Sequence, residues 1–147
     1  MARQESGLHD HVGYWLRRLS DQVHTSFERQ LARFDVTVAQ WNVLVTLHHG
    51  LARTTSEVAR YIETDQGAVS RLVDRLADKG LVTRQPDPAS RRQQLLVLTP
   101  EALTLVPQLI VAADQNDHEY FGSLPEPDRD SLSALLKSLL KPPNTKE

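Results

Sequence analysis

The sequence predicts a mainly α-helical protein of the α+β class, with several helices and one short β-hairpin. Three observations support this prediction. Apolar residues recur at helical spacing through most of the 147 residues. Two short β-type runs, at 81–84 and 95–98, flank a polar loop that contains two prolines. A hydrophobic content of 39% and a charged content of 24% are typical of a globular chain, and the length suits one domain or two subdomains that share a core.

The composition limits where the protein works and which chemistry it uses. The sequence has no cysteine, which excludes disulfides, thiol-based redox sensing and thiolate metal sites. No apolar run approaches the roughly 18 residues that a membrane span needs. Residues 1–5 lack the apolar stretch of a secretory signal. We therefore expect a cytoplasmic protein that does not contact a membrane.

Charged residues are distributed unevenly along the chain. The formal net charge is −2, which by itself argues against a nucleic-acid partner. Between residues 53 and 92, however, eight basic residues oppose six acidic ones, whereas the rest of the chain holds nine basic and thirteen acidic residues. A basic middle segment in an acidic chain suits a protein that faces DNA with one side, although such imbalances also occur on ordinary solvated faces.

The first third of the chain predicts two helices. Apolar residues at steps of three and four over residues 8–34 predict an amphipathic helix of about seven turns. A small domain cannot cover a stripe of that length, so we expect it to pack against a second chain. Thr37 is placed to cap the next helix, and Gly50 supplies the left-handed residue that ends it.

The middle of the chain predicts two short helices joined by a tight turn. Thr54 and Glu57 have the spacing of a capping box at the start of the first helix. Asp65 is a good N-cap for the second, which ends at Lys79 and Gly80 and turns four apolar residues inward: Val69, Leu72, Val73 and Leu76. Two helices in this arrangement form a helix-turn-helix. The polar loop at 85–94, with its paired arginines between two strands, then predicts a wing.

Two further helices are predicted after the wing. Thr99 caps a helix that begins at Pro100, runs to about residue 121 and kinks at Pro107. Its predicted inward residues are Leu103, Val106, Ile110 and Ala113. Prolines at 125 and 127 separate it from a last helix whose leucines have coiled-coil-like spacing: Leu132, Leu135, Leu136, Leu139 and Leu140. We predict a helical dimerisation region at 1–36 and 100–147, and a winged helix-turn-helix lobe at 37–99.

The order of these elements and their local sequences resemble the multiple antibiotic resistance regulator (MarR) family of bacterial winged-helix repressors. The resemblance covers nearly the whole chain. The segments that carry it are residues 39–44, 56–59, 67–76, 79–82, 86–92 and 98–101.

The resemblance implies a transcription regulator that binds double-stranded DNA as a homodimer joined by its first and last helices. Recognition helices would enter successive major grooves of a pseudo-palindromic operator, and wings would reach the minor grooves. It also implies a cleft between the dimer layer and the DNA-binding lobe, where many members bind aromatic or phenolic effectors and release DNA. The family usually has an acid two residues before the wing-tip arginine. Here that position is Ser90, which leaves Arg92 less fixed or sharing its role with Arg91.

The candidate DNA contacts lie at the start of the first short helix, on the open face of the recognition helix and on the wing. Glutamine and arginine side chains suit adenine and guanine edges, and arginine suits a narrow minor groove. The alternative is a solvated polar face, with the helix arginines paired to Asp74 or Asp78 and Thr54 serving only as a cap. The candidates are Thr54, Thr55, Ser56, Gln66, Gly67, Ala68, Ser70, Arg71, Arg75, Arg91 and Arg92.

Aromatic residues on the first two helices are candidates for an effector pocket. The rings would stack on a planar ligand, and a histidine or arginine would pair with its carboxylate or phenolate. Aromatic residues in a helical stripe are more often core, which is the alternative for both tryptophans. The candidates are His11, Tyr14, Trp15, Arg18 and Trp41.

The sequence offers no pattern typical of a metal site, a cofactor site or an enzyme. Its six histidines form no tight ligand motif, and His9 and His11 point to different sides of a helix. There is no glycine-rich phosphate loop and no activated nucleophile. A winged helix used only for contact with other proteins, without ligand response, remains the alternative function.

Overall fold

Six α-helices and one two-stranded sheet make up the part of the chain described by the computed structural model, residues 4–142. This confirms the predicted mainly α class with a single hairpin. A 3-10 turn at Leu8–Asp10 precedes the first helix. The elements are α1 (Val12–Ala32), α2 (Val38–His48), α3 (Thr55–Tyr61), α4 (Gln66–Asp78), β1 (Val82–Asp87), β2 (Ser90–Leu98), α5 (Pro100–Phe121) and α6 (Glu126–Leu139).

Side-chain caps begin four of the helices, as the sequence predicts. The hydroxyl of Thr37 accepts the Gln40 N–H at 3.1 Å, and the carboxylate of Asp65 accepts the Ala68 N–H at 3.0 Å. Thr54 and Thr99 do the same for α3 and α5. The capping box predicted for α3 closes differently, because the Glu57 carboxylate accepts the N–H of Arg53 at 2.8 Å rather than that of the cap residue.

Glycines in the left-handed region end two helices. Gly50 has a φ of 66° after α2, and Gly80 has a φ of 72° after α4. A residue with a side chain is strained in this conformation, whereas glycine adopts it freely. Both helices therefore end where the sequence indicates.

The hydrophobic core joins the C-terminal end of α1 to α2, α3, α4, β1, β2 and the first half of α5. The completely buried large residues include Leu31, Val43, Leu44, Val58, Val69, Val73, Leu76, Val106 and Leu109. These residues hold α3 and α4 against the body of the protein.

The inward face predicted for α5 is wrong in part. Val106 is buried as expected, but Leu103 is 54% exposed, and the buried stripe instead includes Ala102, Leu109 and Ala112. A shift of one position turns a helix face by about 100°. The small alanines allow α5 to approach the core closely, and the prediction followed the larger side chains.

The hairpin extends much further than the two predicted strands. The residues expected in a polar loop are paired as strand, with Gln85 opposite Leu95 and Pro86 opposite Gln94. Only Pro88 and Ala89 lie outside the strands at the tip, where the Asp87 carboxylate accepts the Ala89 N–H at 2.9 Å. A two-stranded ribbon exposes both faces, so polar residues extend it without an alternating signal. Pro86 is tolerated because such a ribbon has two free edges.

The terminal helices expose their apolar residues. The helix predicted over residues 8–34 is a 3-10 turn followed by α1, in which Leu31 is the one buried residue. In α6 no described residue is buried. Large exposed apolar side chains on these elements are Leu8, Val12, Trp15, Leu16, Leu19, Leu135, Leu136, Leu139 and Leu140.

Within residues 4–142, none of the helices combines the length and the apolar character that crossing a bilayer requires.

Candidate DNA-binding surface

The N-terminal ends of α3 and α4 and the wing strand β2 meet at an open cleft of about 920 Å³. Eight of the residues predicted to contact DNA line this cleft: Thr54, Thr55, Ser56, Gln66, Gly67, Ser70, Arg91 and Arg92. Three more lining residues, Arg84, Gln93 and Gln94, were not predicted. The fold thus collects residues from α3, α4, β1 and β2 on one concave surface.

Arg71 lies beside the cleft although it does not line it. A Cβ atom built on Gly67 would lie 3.5 Å from Arg71 Nη1 and 3.0 Å from Asp65 Oδ2. The guanidinium therefore lies back along the helix toward its first turn, one turn before the Arg71 backbone. A side chain at position 67 would be in tight contact with the Asp65 carboxylate and in ordinary contact with the Arg71 guanidinium, so glycine keeps this end of α4 open.

The arginines of α4 have no acidic partner in the described part of the chain. Asp74 pairs with Arg84 at 2.7 Å, and neither Arg71 nor Arg75 forms a salt bridge within residues 4–142. The alternative in which these two arginines are neutralised by Asp74 or Asp78 is therefore not what the structure shows. Both side chains are exposed.

Arg84 links the wing to α4, which is the second helix of the helix-turn-helix and the predicted recognition helix. From β1 its Nη2 donates to Asp74 Oδ1 at 2.7 Å and contacts the Ser70 carbonyl oxygen at 3.5 Å. The sequence contains the two opposite charges, but it does not show that strand and helix pack with these residues in register. Arg84 lines the cleft while it is paired with Asp74, and this salt bridge holds the wing beside α4.

At the tip of the wing, side-chain oxygens accept hydrogen bonds from backbone N–H groups. The Ser90 hydroxyl accepts the Arg92 N–H at 3.4 Å, so the serine at the usual acidic position steadies the backbone of Arg92. The side chains of Arg91 and Arg92 are exposed. Gln93 and Gln94 were missed because a loop prediction gives no direction to side chains, whereas a strand does.

Two of the predicted contacts have other roles in this structure. Thr54 is 4% exposed, and its hydroxyl accepts the Glu57 N–H at 3.2 Å, which favours the capping role. Ala68 is half-buried and does not line the cleft, and its N–H is bonded to the Asp65 carboxylate. Thr55 and Ser56 are the better-placed residues at the start of α3.

A family model described as the MarR family matches residues 34–93. The multiple antibiotic resistance protein MarR of Escherichia coli is 32% identical over 130 residues, which span 85% of this chain and 90% of that protein. The chain belongs to the MarR family. It is therefore a DNA-binding transcription regulator, and the relatives it matches are regulators, not enzymes.

Two solved structures of MarR-family proteins show the same architecture. A mutant of E. coli MarR in complex with operator DNA is 27% identical and superimposes with a TM-score of 0.80, covering 88% of this chain and 94% of that one. BpsR of Bordetella bronchiseptica, whose DNA binding is regulated by 6-hydroxynicotinic acid, is 29% identical with a TM-score of 0.81. That similarity covers 92% of this chain and 96% of BpsR. The winged helix-turn-helix assignment is confirmed.

Three of the predicted effector residues lie together on the exposed start of α1. The rings of Tyr14 and Trp15 are 5.1 Å apart, and the Arg18 guanidinium lies 6.0 Å from the centre of the Trp15 ring. The Trp15 indole N–H donates to the carbonyl oxygen of His9 at 2.9 Å. His11 lies just before α1 and is exposed, with its Nε2 3.3 Å from the Ser6 hydroxyl. Trp15 is 47% exposed and Tyr14 is half-buried, and the ring of His9 lies 5.2 Å from each of them.

Trp41 does not join that aromatic cluster within one chain. Its ring packs edge-on against Phe27, 5.7 Å between centres, and both belong to the margin of the core. Phe27 is twelve residues after Trp15 on α1, about 18 Å along the axis at 1.5 Å per residue. Packing is therefore the role that the structure supports for Trp41.

A second cleft, of about 390 Å³, lies between α2, the strand β2 and the start of α5. Most of its lining is apolar, and His48 and Arg53 are the ionisable side chains that contribute to it. The sequence did not point to this cleft because its lining comes from elements far apart in the chain. No group of three or more His, Asp or Glu side chains in residues 4–142 is arranged to hold a metal ion.

Proposed function

We propose that this MarR-family regulator is a homodimeric repressor that binds a pseudo-palindromic operator through the cleft of α3, α4 and the wing. The observation that carries the proposal is the convergence of Gln66, Ser70, Arg91 and Arg92 on one concave surface. Arg71, which forms no salt bridge within residues 4–142, lies at the edge of that surface. Helix side chains of these types read bases in the major groove, and arginines on a wing suit the minor groove. The solved complex of a MarR relative with operator DNA supports the same use of this lobe.

The exposed apolar residues of α1 and α6 support the dimer. Val12 is 79% exposed and Leu139 is 73% exposed, and apolar surface on this scale usually marks an interface. We propose that residues 1–36 and 100–147 form the dimerisation region and that residues 37–99 form the DNA-binding lobe. A two-fold dimer then requires two half-sites about 10 base pairs apart, which matches one turn of DNA.

The direct test is selection of bound sequences from random DNA, followed by binding to the selected full site and to each half-site alone. We expect an inverted repeat among the selected sequences. Affinity for the full site should fall steeply with salt, because phosphate contacts release counterions. Tight binding to an isolated half-site, or the absence of any shared sequence among the selected DNA, would contradict the proposal.

We further propose that a small aromatic acid or phenol releases the DNA. Two places fit such a molecule, namely the cluster of Tyr14, Trp15 and Arg18 and the apolar cleft beside Arg53. Regulation of BpsR by 6-hydroxynicotinic acid supports the chemical class.

Because the chain has two tryptophans, single-tryptophan variants test the effector proposal. Trp41→Phe leaves Trp15 as the reporter, and Trp15→Phe leaves Trp41. Titration with 6-hydroxynicotinic acid and a panel of phenols should quench Trp15 if the ligand binds at the cluster. Binding that survives Trp15→Phe but is lost in Arg53→Ala would place the ligand in the cleft. No quenching and no release of operator DNA across the panel would overturn this part of the proposal.

A further inference from the structure

The C-terminal end of the recognition helix α4 is bonded to the turn between α1 and α2. Lys79, the residue that follows α4, donates through Nζ to the backbone oxygen of Asp35 and to Gln40 Oε1, the latter at 2.9 Å. The carboxylate of Asp35 is 3.7 Å away. The ammonium thus donates two hydrogen bonds, whereas the Asp35 carboxylate lies beyond hydrogen-bond distance and is exposed to solvent. The Lys79 side chain is 29% exposed, so this ammonium is not an ordinary solvated surface charge.

The acceptors of the Lys79 ammonium are themselves fixed. Gln40 is 3% exposed, and its Oε1 also accepts the Thr37 N–H at 3.2 Å, while the Gln40 N–H donates to the Thr37 hydroxyl. Asp35 has a φ of 56°, in the left-handed region that aspartate tolerates better than most residues. The capping box of α2 and the left-handed turn after α1 therefore hold the site that receives Lys79.

We propose that Lys79 is a positioning residue that sets the angle of α4 relative to α1. Val69, Val73 and Leu76 hold α4 to the core, but apolar contacts have little directionality. The hydrogen bonds of Lys79 are directional, and they act at one end of the helix. Over the thirteen residues of α4, a tilt of about 5° at Lys79 displaces Gln66 by about 1.7 Å, given 1.5 Å per residue.

In the dimer, this angle determines the separation of the two recognition helices. The proposed dimer stripe lies on α1, and Asp35 stands between α1 and α2. Lys79 thus connects the DNA-reading helix directly to the end of the dimerisation helix. The inference rests on the proposed dimeric function, and it assigns the spacing of the half-sites to a residue outside the DNA-binding cleft.

The test measures affinity for operators in which the two half-sites are moved apart or together by one and two base pairs. Each added base pair shifts a half-site by about 3.4 Å and turns it by about 34°. We compare the wild-type protein with Lys79→Met, which keeps the aliphatic part of the side chain and removes the ammonium. The spacing preference is the affinity for the best spacing divided by the affinity for the other spacings. In Lys79→Met this ratio should fall by about 3- to 10-fold, which lies within the range for a single residue that couples two elements.

Two further variants sharpen the test. Gln40→Glu keeps the capping box, since glutamate also fills that role, and places a carboxylate beside Lys79, so the spacing preference should rise. Asp35→Asn is the matched control, because it preserves the backbone oxygen that Lys79 contacts and removes a carboxylate whose side chain is 94% exposed. Its spacing preference should equal that of the wild type.

Equal weakening of Lys79→Met at every spacing would overturn the inference, because charge or stability alone would then explain Lys79. Thermal melting checks that Lys79→Met is folded, and if it is not, Gln40→Glu decides by raising or failing to raise the preference. A wild-type protein with no spacing preference would overturn the proposed dimeric function and this inference with it. A wild-type preference that Lys79→Met retains in full would overturn the inference alone.

Discussion

The DNA-binding lobe and the terminal helices use their apolar residues in opposite ways. In the lobe, Val58, Val69 and Val73 are fully buried, and the polar residues form the outer surface. In α6 no described residue is buried, and α1 buries Leu31 at its C-terminal end. The lobe therefore completes its core within one chain, whereas the terminal helices leave apolar side chains exposed. This difference is the reason for proposing that a second copy of the chain covers the terminal helices.

The largest effect should come from the core that the lobe shares with α5. Leu109 is fully buried, so Leu109→Ala should lower the free energy of unfolding by about 2–5 kcal/mol, through lost burial and a cavity. Leu103, on the same helix, is 54% exposed, so Leu103→Ala should cost about 0.5 kcal/mol or less. Urea unfolding at one fixed protein concentration measures both. A larger cost for Leu103→Ala than for Leu109→Ala would mean that α5 is turned as the sequence suggested.

The second effect should come from the exposed leucines of α6. Leu135→Glu/Leu139→Glu places two charges on the proposed interface, and we expect dimer affinity to fall by about 2–4 kcal/mol, the scale of interface hot spots. Sedimentation across a protein dilution series measures the loss. Lys137→Glu, on the same helix, is the control for added negative charge. A dimer of unchanged affinity in the double variant would remove α6 from the interface and leave its exposed stripe without an explanation.

The third effect should come from the recognition helix. Arg71→Ala should weaken binding to the selected operator by about 1–3 kcal/mol and binding to scrambled DNA by much less, because base edges are read in the major groove. Arg60, exposed on α3 and outside the cleft, is the matched control. Fluorescence anisotropy with both DNAs measures the difference. Equal losses on operator and scrambled DNA would show that Arg71 contacts phosphate rather than a base.

The smallest effect should come from the wing. Arg92→Ala should weaken binding to all sequences alike and reduce the salt dependence by about one phosphate equivalent, because the minor groove carries little base identity. Arg91 is adjacent and equally exposed, so Arg91→Ala/Arg92→Ala is measured beside it. If the double variant keeps wild-type affinity throughout a salt titration, the wing does not touch DNA and the helices alone bind.

Local signals in the sequence predicted the helices and strands. Contacts between residues far apart in the chain could not be predicted from it. The caps at Thr37 and Asp65 involve atoms three residues apart, so they can be read from the sequence. The Asp74–Arg84 pair and the contact of Lys79 with Gln40 depend on how helices and strands pack, which local spacing does not determine. The same limit explains α5, where Ala102 and Ala112 face the core together with Val106 and Leu109. Most of the candidate DNA-binding surface was predicted because its residues lie on helix starts and a hairpin tip.

A hydroxyl-radical footprint of the wild-type protein on its selected operator tests the central claim most directly. A dimer that binds through the cleft of α3, α4 and the wing should protect two half-sites centred about 10 base pairs apart. Flanking minor-groove protection should disappear in Arg91→Ala/Arg92→Ala, while the half-sites remain protected. A single protected half-site, or protection that neither Arg71→Ala nor the wing variant alters, would contradict the account.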